Sequence, residues 1–242
     1  MKPRPTVLVT GGSSGIGLEV VRRLLAAGHA VMSVALEACP LSHPSLESYV
    51  VDLSDRAATE AFAATVAARG DATVFVHGAG VVREARLEAA SMAQFDELVS
   101  LHLGAAITLA QACLPAMKSK RSGRIVLISS RAALGLAGRT HYSATKAGLL
   151  GLARTWSLEL AADGITVNAI APGPIRTEMF HAVVEAGSAR EAAIAASIPV
   201  KRLGEAADVA RAVEFFIDEH AGFVTGQTLY VCGGASVGTL AV

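Results

Sequence analysis

Charge of either sign is scarce in this chain. Asp, Glu, Lys and Arg make up only 17% of its 242 residues, and 21 basic side chains balance 21 acidic ones. So sparse and balanced a charge leaves no electrostatic footprint for nucleic acid or for an anionic membrane surface, and neither partner is expected. Cysteine is scarce too. Cys39, Cys113 and Cys232 are odd in number and lack metal-ligand spacing, which argues against a disulfide framework and against a metal centre. They read as small buried hydrophobes in a reducing compartment. The opening Met1-Lys2-Pro3-Arg4-Pro5 lacks the apolar region of a secretion signal, and no uninterrupted apolar run of bilayer length is expected elsewhere. The expected location is cytoplasmic. Internal repeats, low-complexity tracts and linkers are also missing, so residues 1–242 are read as a single domain.

Aliphatic residues are plentiful: hydrophobic side chains reach 52%, enough for a large buried core. A β-branched run over 6–9 reads as a buried strand, and an apolar-periodic segment over 18–27, stopped by Gly28, reads as a helix. Between them stands Thr10-Gly11-Gly12-Ser13-Ser14-Gly15-Ile16-Gly17. A tight glycine turn from strand into helix aims backbone N–H groups and the positive end of the helix dipole at one spot, a seat for a pyrophosphate. Further strands are expected over 30–35, 50–51, 74–76, 124–128, 165–170 and 228–231. Helices are expected over 55–69, 91–118, 142–161, 188–197 and 205–219, with a loop over 35–49. Strands alternating with helices throughout imply an α/β, Rossmann-type doubly wound parallel sheet of about seven strands, with helices on both faces. Its carboxyl edge would gather the glycine turn, Asp52, the turn His77-Gly78-Ala79-Gly80, Ser129 with Ser130, and the Pro172 turn.

Tyr142 and Lys146 stand four apart on one predicted helix and therefore share a face. A phenol near pKa 10 is a poor acid or base at neutral pH unless its anion is stabilised; an ammonium about 4 Å away supplies energy of the required order. Ser129 or Ser130, at the tip of a neighbouring strand, would hydrogen-bond the carbonyl or alcohol being converted.

These motifs occur in an order that resembles the short-chain dehydrogenase/reductase family, among them the 3-oxoacyl-[acyl-carrier-protein] reductase-like members. The resemblance spans essentially the whole chain, from the glycine turn through Pro172-Gly173-Pro174-Ile175-Arg176-Thr177 to Gly226-Gln227-Thr228-Leu229-Tyr230. It implies hydride transfer between NAD(P) and a carbonyl or secondary alcohol. On that resemblance Tyr142 is the acid/base, Lys146 lowers its pKa and holds the ribose, and Ser130 orients the substrate, with Ser129 as the alternative. Gly11, Ser13, Ser14, Gly15, Ile16 and Gly17 would take the pyrophosphate, Asp52 and Leu53 the adenine, and Ala79 and Gly80 would lie along the cofactor. Pro172, Gly173, Ile175 and Thr177, with Tyr142 and Lys146, would meet its nicotinamide end.

Two departures from the family pattern stand out. His102 occupies the place of an asparagine in the long helix, and His77-Gly78-Ala79-Gly80 replaces the usual Asn-Asn-Ala-Gly. The cofactor is NAD(P) with a lean toward NAD, because no Lys or Arg occurs between Arg23 and Arg56 to meet a 2′-phosphate and Glu37 would repel one. Residues 178–199 fall where the family has its substrate lid and are mostly apolar, which implies an apolar pocket. Arg131 and Arg139 flank the active-site loop, where they either meet an anionic substrate or are simply solvated. Family members commonly form tetramers, and the apolar tail 235–242 would serve a homo-oligomer, tetramer or dimer. The other reading is a non-catalytic dinucleotide-binding sensor or scaffold; among enzymes, a 3-oxoacyl-thioester reductase and a diol or sugar dehydrogenase both fit.

Overall fold

The computed structural model describes residues 5–237. Seven parallel strands form one sheet in the order β3-β2-β1-β4-β5-β6-β9: β1 Thr6–Thr10, β2 Ala30–Ala35, β3 Leu46–Val50, β4 Ala72–His77, β5 Gly123–Ile128, β6 Ile165–Pro172 and β9 Thr228–Val231. Two short strands, β7 Ile175–Arg176 and β8 Gly204–Glu205, pair separately beyond its edge. The central strands are buried on both faces, as a parallel sheet covered by helices requires.

Alternation along each strand divides the core in two. Leu8, Phe75, Ile125 and Leu127 point to one face and pack with Phe62, Leu109, Met117 and Leu149. These last come from α2 Arg56–Arg69, α4 Ala105–Lys120 and α5 Thr140–Leu160. Val7, Val9, Val76 and Val126 point to the other face and meet Val20, Val21, Val213 and Phe216, from α1 Gly15–Ala26 and α8 Ala206–Ile217.

The sequence misplaces several boundaries. The expected loop over 35–49 ends in β3, which begins at Leu46 immediately after Pro44 and Ser45; pairing with β2 extends the strand where local periodicity was lacking. Helix α1 begins at Gly15, inside the glycine motif. The single long helix expected over 91–118 is α3 Met92–Val99, a π turn at Ser100–Gly104, and α4, with Pro115 inside the last. The run Met92–Lys120 is long and apolar enough to cross a membrane by length and composition, contrary to expectation. Here Leu98, Leu109 and Met117 are fully buried, the pattern of a core helix.

Strand order reverses between β1 and β4, which opens a crevice at their carboxyl ends. The residues that follow β1, β4, β5 and β6 converge there.

Candidate active site

Steric limits shape the β1–α1 turn. A Cβ on Gly17 would stand 2.0 Å from the Gly11 carbonyl oxygen, and one on Gly12 would stand 2.3 Å from Ser33 Oγ. Gly11 has φ +73° and lies against the Ala79 backbone. Larger residues would push the turn off β4 and off its own helix. Ser14 is the N-cap of α1, yet its side chain makes no capping hydrogen bond. The first-turn N–H groups of a helix have no intrahelical acceptor, so this end is open to an anion. Glycine backbone and an uncapped helix end fit the pyrophosphate of NAD(P). Ser13 and Ser14 stand at the surface side of the same turn.

Thr10, at the end of β1, ties this turn to the next. Its Oγ1 accepts from Gly78 N at 3.1 Å and Ala79 N at 3.0 Å. Both lone pairs are then used, so its hydrogen goes to His77 Nδ1 at 2.9 Å and the proton of His77 resides on Nε2. That Nε2 is buried with no partner of hydrogen-bond geometry. Burial, then Lys146, hold the His77 pKa down to about 3.

His102, on the π turn, stands on the other side of Gly80. The Thr145 hydroxyl donates to the His141 and Tyr142 carbonyls at 3.2 Å, so His102 Nδ1–H donates to Thr145 Oγ1 at 2.8 Å. His102 Nε2 accepts from Val81 N at 3.3 Å. Burial, followed by Lys146 and His77, lowers its pKa to about 2. Both rings are therefore neutral at physiological pH. A Cβ on Gly80 would lie 2.9 Å from His102 Nε2 and 3.3 Å from Lys146 Nζ, which is why this turn keeps its glycine.

The two serines at the end of β5 separate cleanly. Ser129 is buried and its hydroxyl donates to the Lys146 carbonyl of α5 at 2.6 Å. Ser130 caps the short 3-10 turn Arg131–Leu134, where its Oγ accepts from Ala132 N at 3.1 Å. Its hydroxyl also acts on Tyr142, lowering the phenol pKa. Ser130, Tyr142 and Lys146 line one cavity of about 970 Å³ together with Gly80, Pro172, Gly173, Ile175, Thr177 and Ile16.

The electrostatics differ from the expectation drawn from spacing. Lys146 Nζ donates to the Ile128 carbonyl at 2.9 Å and lies 5.7 Å from the Tyr142 ring centroid. Burial raises the Tyr142 pKa; the Ser130 hydroxyl and the Arg139 charge oppose that rise, and Lys146 is not among the causes. Lys146 itself is brought down to about 7 by burial. The protein alone thus places an easily deprotonated amine beside a phenol that holds its proton.

Other expected residues are placed apart from this trio. Asp52 is exposed at the end of the β3 segment, where its Oδ1 accepts from Ser54 N at 2.9 Å and Ser54 Oγ at 2.7 Å; the Ser54 bonds lower its pKa. The role of capping α2 falls to Asp55, which leaves Asp52 facing solvent. Leu53 is buried, and its carbonyl accepts from Thr59 Oγ1. Gly11, Ser13, Ser14, Gly15, Gly17, Asp52, Leu53 and Ala79 do not line the cavity around Tyr142. They extend away from it along the sheet edge, as an elongated ligand needs. Thr177 caps the short helix α6 Glu178–His181, accepting from Phe180 N at 3.3 Å, and its Cγ2 lies against Gly15. Residues 178–199 hold α6 and α7 Ala189–Ser197, with Met179, Phe180, Val184 and Ile194 on the cavity. Sequence reasoning passed over Thr10 and Thr145, the hydroxyls that orient the two histidines. Their signal was position: each follows the helical or strand register that brings it opposite a histidine.

A sheet that reverses at β1/β4, with a glycine seat on one side and a serine, tyrosine and lysine on the other, defines a class, and residues 11–236 match the family model described as enoyl-(acyl carrier protein) reductase. The chain belongs to the short-chain dehydrogenase/reductase family and is an NAD(P)-dependent oxidoreductase. Among its relatives is the (2S)-[(R)-hydroxy(phenyl)methyl]succinyl-CoA dehydrogenase subunit of Thauera aromatica, 36% identical over 95% of this chain and 96% of that protein. The 3-oxoacyl-[acyl-carrier-protein] reductase of Mycobacterium avium is 37% identical over 96% of this chain and 90% of its own length. Among solved structures, ElxO with NADP bound superposes with a TM-score of 0.89 at 27% identity, covering 97% of this chain and all of that one.

Proposed function

We propose that the protein reduces a 3-oxoacyl thioester or a related ketone, with Ser130, Tyr142 and Lys146 as its catalytic residues. The observation that carries this reading is the shared cavity: Ser130, Tyr142 and Lys146 line it together, Lys146 lies over the tyrosine ring, and the wall is largely apolar. The relatives named for 3-oxoacyl carrier-protein and hydroxyacyl-CoA chemistry support the substrate class. A sensor or scaffold has no use for that trio.

A bound nicotinamide supplies or accepts the hydride at the substrate carbon. The chain handles the rest. Ser130 holds the substrate oxygen, and Tyr142, whose pKa stands above its ordinary value, donates its proton to that oxygen during reduction. Lys146, brought down to about 7, exchanges its own proton readily at neutral pH and is placed to restore the one that Tyr142 gives up. The neutral rings of His77 and His102 fix the walls around the lysine without competing for its proton.

The remaining assignments rest on the same frame. Gly11, Ser13, Ser14, Gly15, Ile16 and Gly17 would bind the pyrophosphate, Asp52 and Leu53 the adenine, Ala79 and Gly80 the middle of the cofactor, and Pro172, Gly173, Ile175 and Thr177 its carboxamide end. Residues 178–199 would close over the substrate, in one dinucleotide-binding domain spanning 1–242. The exposed Leu158, Phe215 and Phe223 support assembly as a homo-oligomer. The tail invoked for that contact runs past residue 237, outside the described residues. Three buried free cysteines support a cytoplasmic setting.

The lean toward NAD lacks support, since ElxO was solved with NADP. NADPH is taken as the working cofactor. Strand β2 ends at Ala35, followed by Leu36, which is 63% exposed and uncharged. Neither a carboxylate for the ribose hydroxyls nor a cation for a 2′-phosphate stands there, so discrimination should be weak. Paired titrations of NADPH and NADH are expected to give Kd values within about tenfold of each other, about 1.4 kcal/mol. A screen of 3-oxoacyl thioesters, ketones, diols and sugars should then show turnover with the thioesters; turnover of sugars alone would overturn the substrate class.

A further inference from the structure

The formal charge of the chain is zero, but the cavity is not neutral. Its wall carries Arg86, Arg131, Arg139, Arg190 and Lys146 against one acid, Glu84. Glu84 is committed to an ion pair with Arg139. Arg190 donates to the Val183 carbonyl, which fixes its position and leaves its charge uncompensated. Most arginines in the fold are engaged, by Glu214, Glu97, Glu205 or Asp208 among others. Among the described residues, the guanidinium groups of Arg86, Arg131 and Arg154 have no partner, and two of these three line the cavity.

The dinucleotide does not account for this charge. Its pyrophosphate seat is the β1–α1 turn, from which only Ile16 reaches the cavity. The arginines come from other elements: the 3-10 turn that follows Ser130, the segments bridged at Ala85 and Arg139, and α7 of the lid. Arg131 follows Ser130 directly, so their Cα atoms are about 3.8 Å apart. The same cavity is also lined by apolar Leu136, Met179, Phe180 and Val184. A guanidinium beside such a wall gains most from a planar oxyanion that pairs with it in bidentate fashion.

Resting on the reading of this cavity as the reducing site, we propose that the substrate carries a carboxylate or phosphate oxyanion, and that Arg131, assisted by Arg86, recognises it. The substrate class is thus an apolar, anionic oxo compound. Two sources share this chemistry, a free carboxylate on the oxo chain and a phosphate on the carrier of a thioester.

The test uses the full chain with saturating NADPH and two matched pairs of probes. One pair is an oxo acid and its methyl ester; the other is one 3-oxoacyl group on coenzyme A and on N-acetylcysteamine. The wild type is expected to favour the anionic member of at least one pair in kcat/KM by about tenfold or more, chiefly through KM. Preference in the first pair assigns a free carboxylate, and preference in the second assigns the carrier phosphate. Arg131→Met should remove most of that preference, and Arg154→Met, outside the cavity, should leave it intact. Equal use of both members in both pairs by the wild type, or a preference unchanged in Arg131→Met, would overturn the inference while leaving the reductase reading standing. If no probe is reduced, the reductase reading fails instead. Calorimetric titration of the oxo acid and its ester then decides the inference: tighter binding of the acid by the wild type, lost in Arg131→Met, upholds it, and equal binding overturns it.

Discussion

Ser129 and Ser130 are adjacent in sequence and differ in what their hydroxyls meet. Ser129 anchors the Lys146 carbonyl, whereas Ser130 accepts from Ala132 N and lowers the Tyr142 pKa. Ser129→Ala should therefore cost about 1 kcal/mol of stability and leave turnover near that of the wild type. Ser130→Ala should lower kcat about a hundredfold with stability retained. Steady-state rates and urea titrations on both variants check the pair; a reversed pattern would move the substrate contact to Ser129. Sequence counting alone left the two serines open, because one residue of loop length changes which of them takes the family position, and both line the cavity. His77 and His102 make a second residue-scale case. Their folded pKa values, about 3 and about 2, lie below the unfolded value near 6.5. Between those limits the unfolded chain binds more protons, so stability falls as pH drops below about 6.5, by up to about 1.4 kcal/mol per pH unit for each ring. Urea unfolding at about pH 5 and about pH 7 should show that loss, and His102→Asn should lessen it. An acid response identical in the variant would show that His102 titrates normally.

Among the elements, the glycine turn and helix α5 give opposite expectations for one kind of change. Gly17→Ala would drive a Cβ to 2.0 Å from a backbone oxygen; such overpacking against main chain should cost about 3 kcal/mol or more and abolish cofactor binding. Gly151, within α5, has nothing within 4 Å of its added Cβ. Gly151→Ala should raise stability by roughly 0.5–1 kcal/mol. Denaturant midpoints for the two proteins test this; a harmless Gly17→Ala would mean the turn is not packed as described. The elements legible in the sequence were those whose pattern is local. The strands at β1, β4, β5 and β6 are rich in β-branched and aliphatic residues, and α2 is capped by Asp55 and stopped at Gly70. Elements set by tertiary pairing were not legible. No residue of β3 is fully buried, and the strand relies on β2 for its extension; β7 and β8 are two-residue strands that exist only through each other. The π turn at His102 interrupts a helix whose composition is continuous, so its signal lies in packing against α5 and the segment after β4 and not in residue type.

At the scale of the whole molecule, the site follows from sheet order. Reversal at β1/β4 gathers residues from positions 10 to 177 at one edge, and the order of motifs along the chain was enough to foresee that convergence. Charge was legible only as a total. A balanced composition concealed a cavity with five bases and one acid, because the sum carries no information about where folding puts each side chain. The expectation that Lys146 would acidify Tyr142 is not met by the protein by itself: spacing of four residues guarantees a shared face, but burial raises the tyrosine pKa and lowers that of the lysine. What the fold secures is a proton held on the phenol beside a ready donor. The most direct measurement is NADPH-linked turnover of a 3-oxoacyl thioester by Tyr142→Phe, paired with fluorescence titration of NADPH binding. Cofactor affinity should match the wild type while kcat falls about a thousandfold; turnover within about tenfold of the wild type would contradict the role given to that hydroxyl.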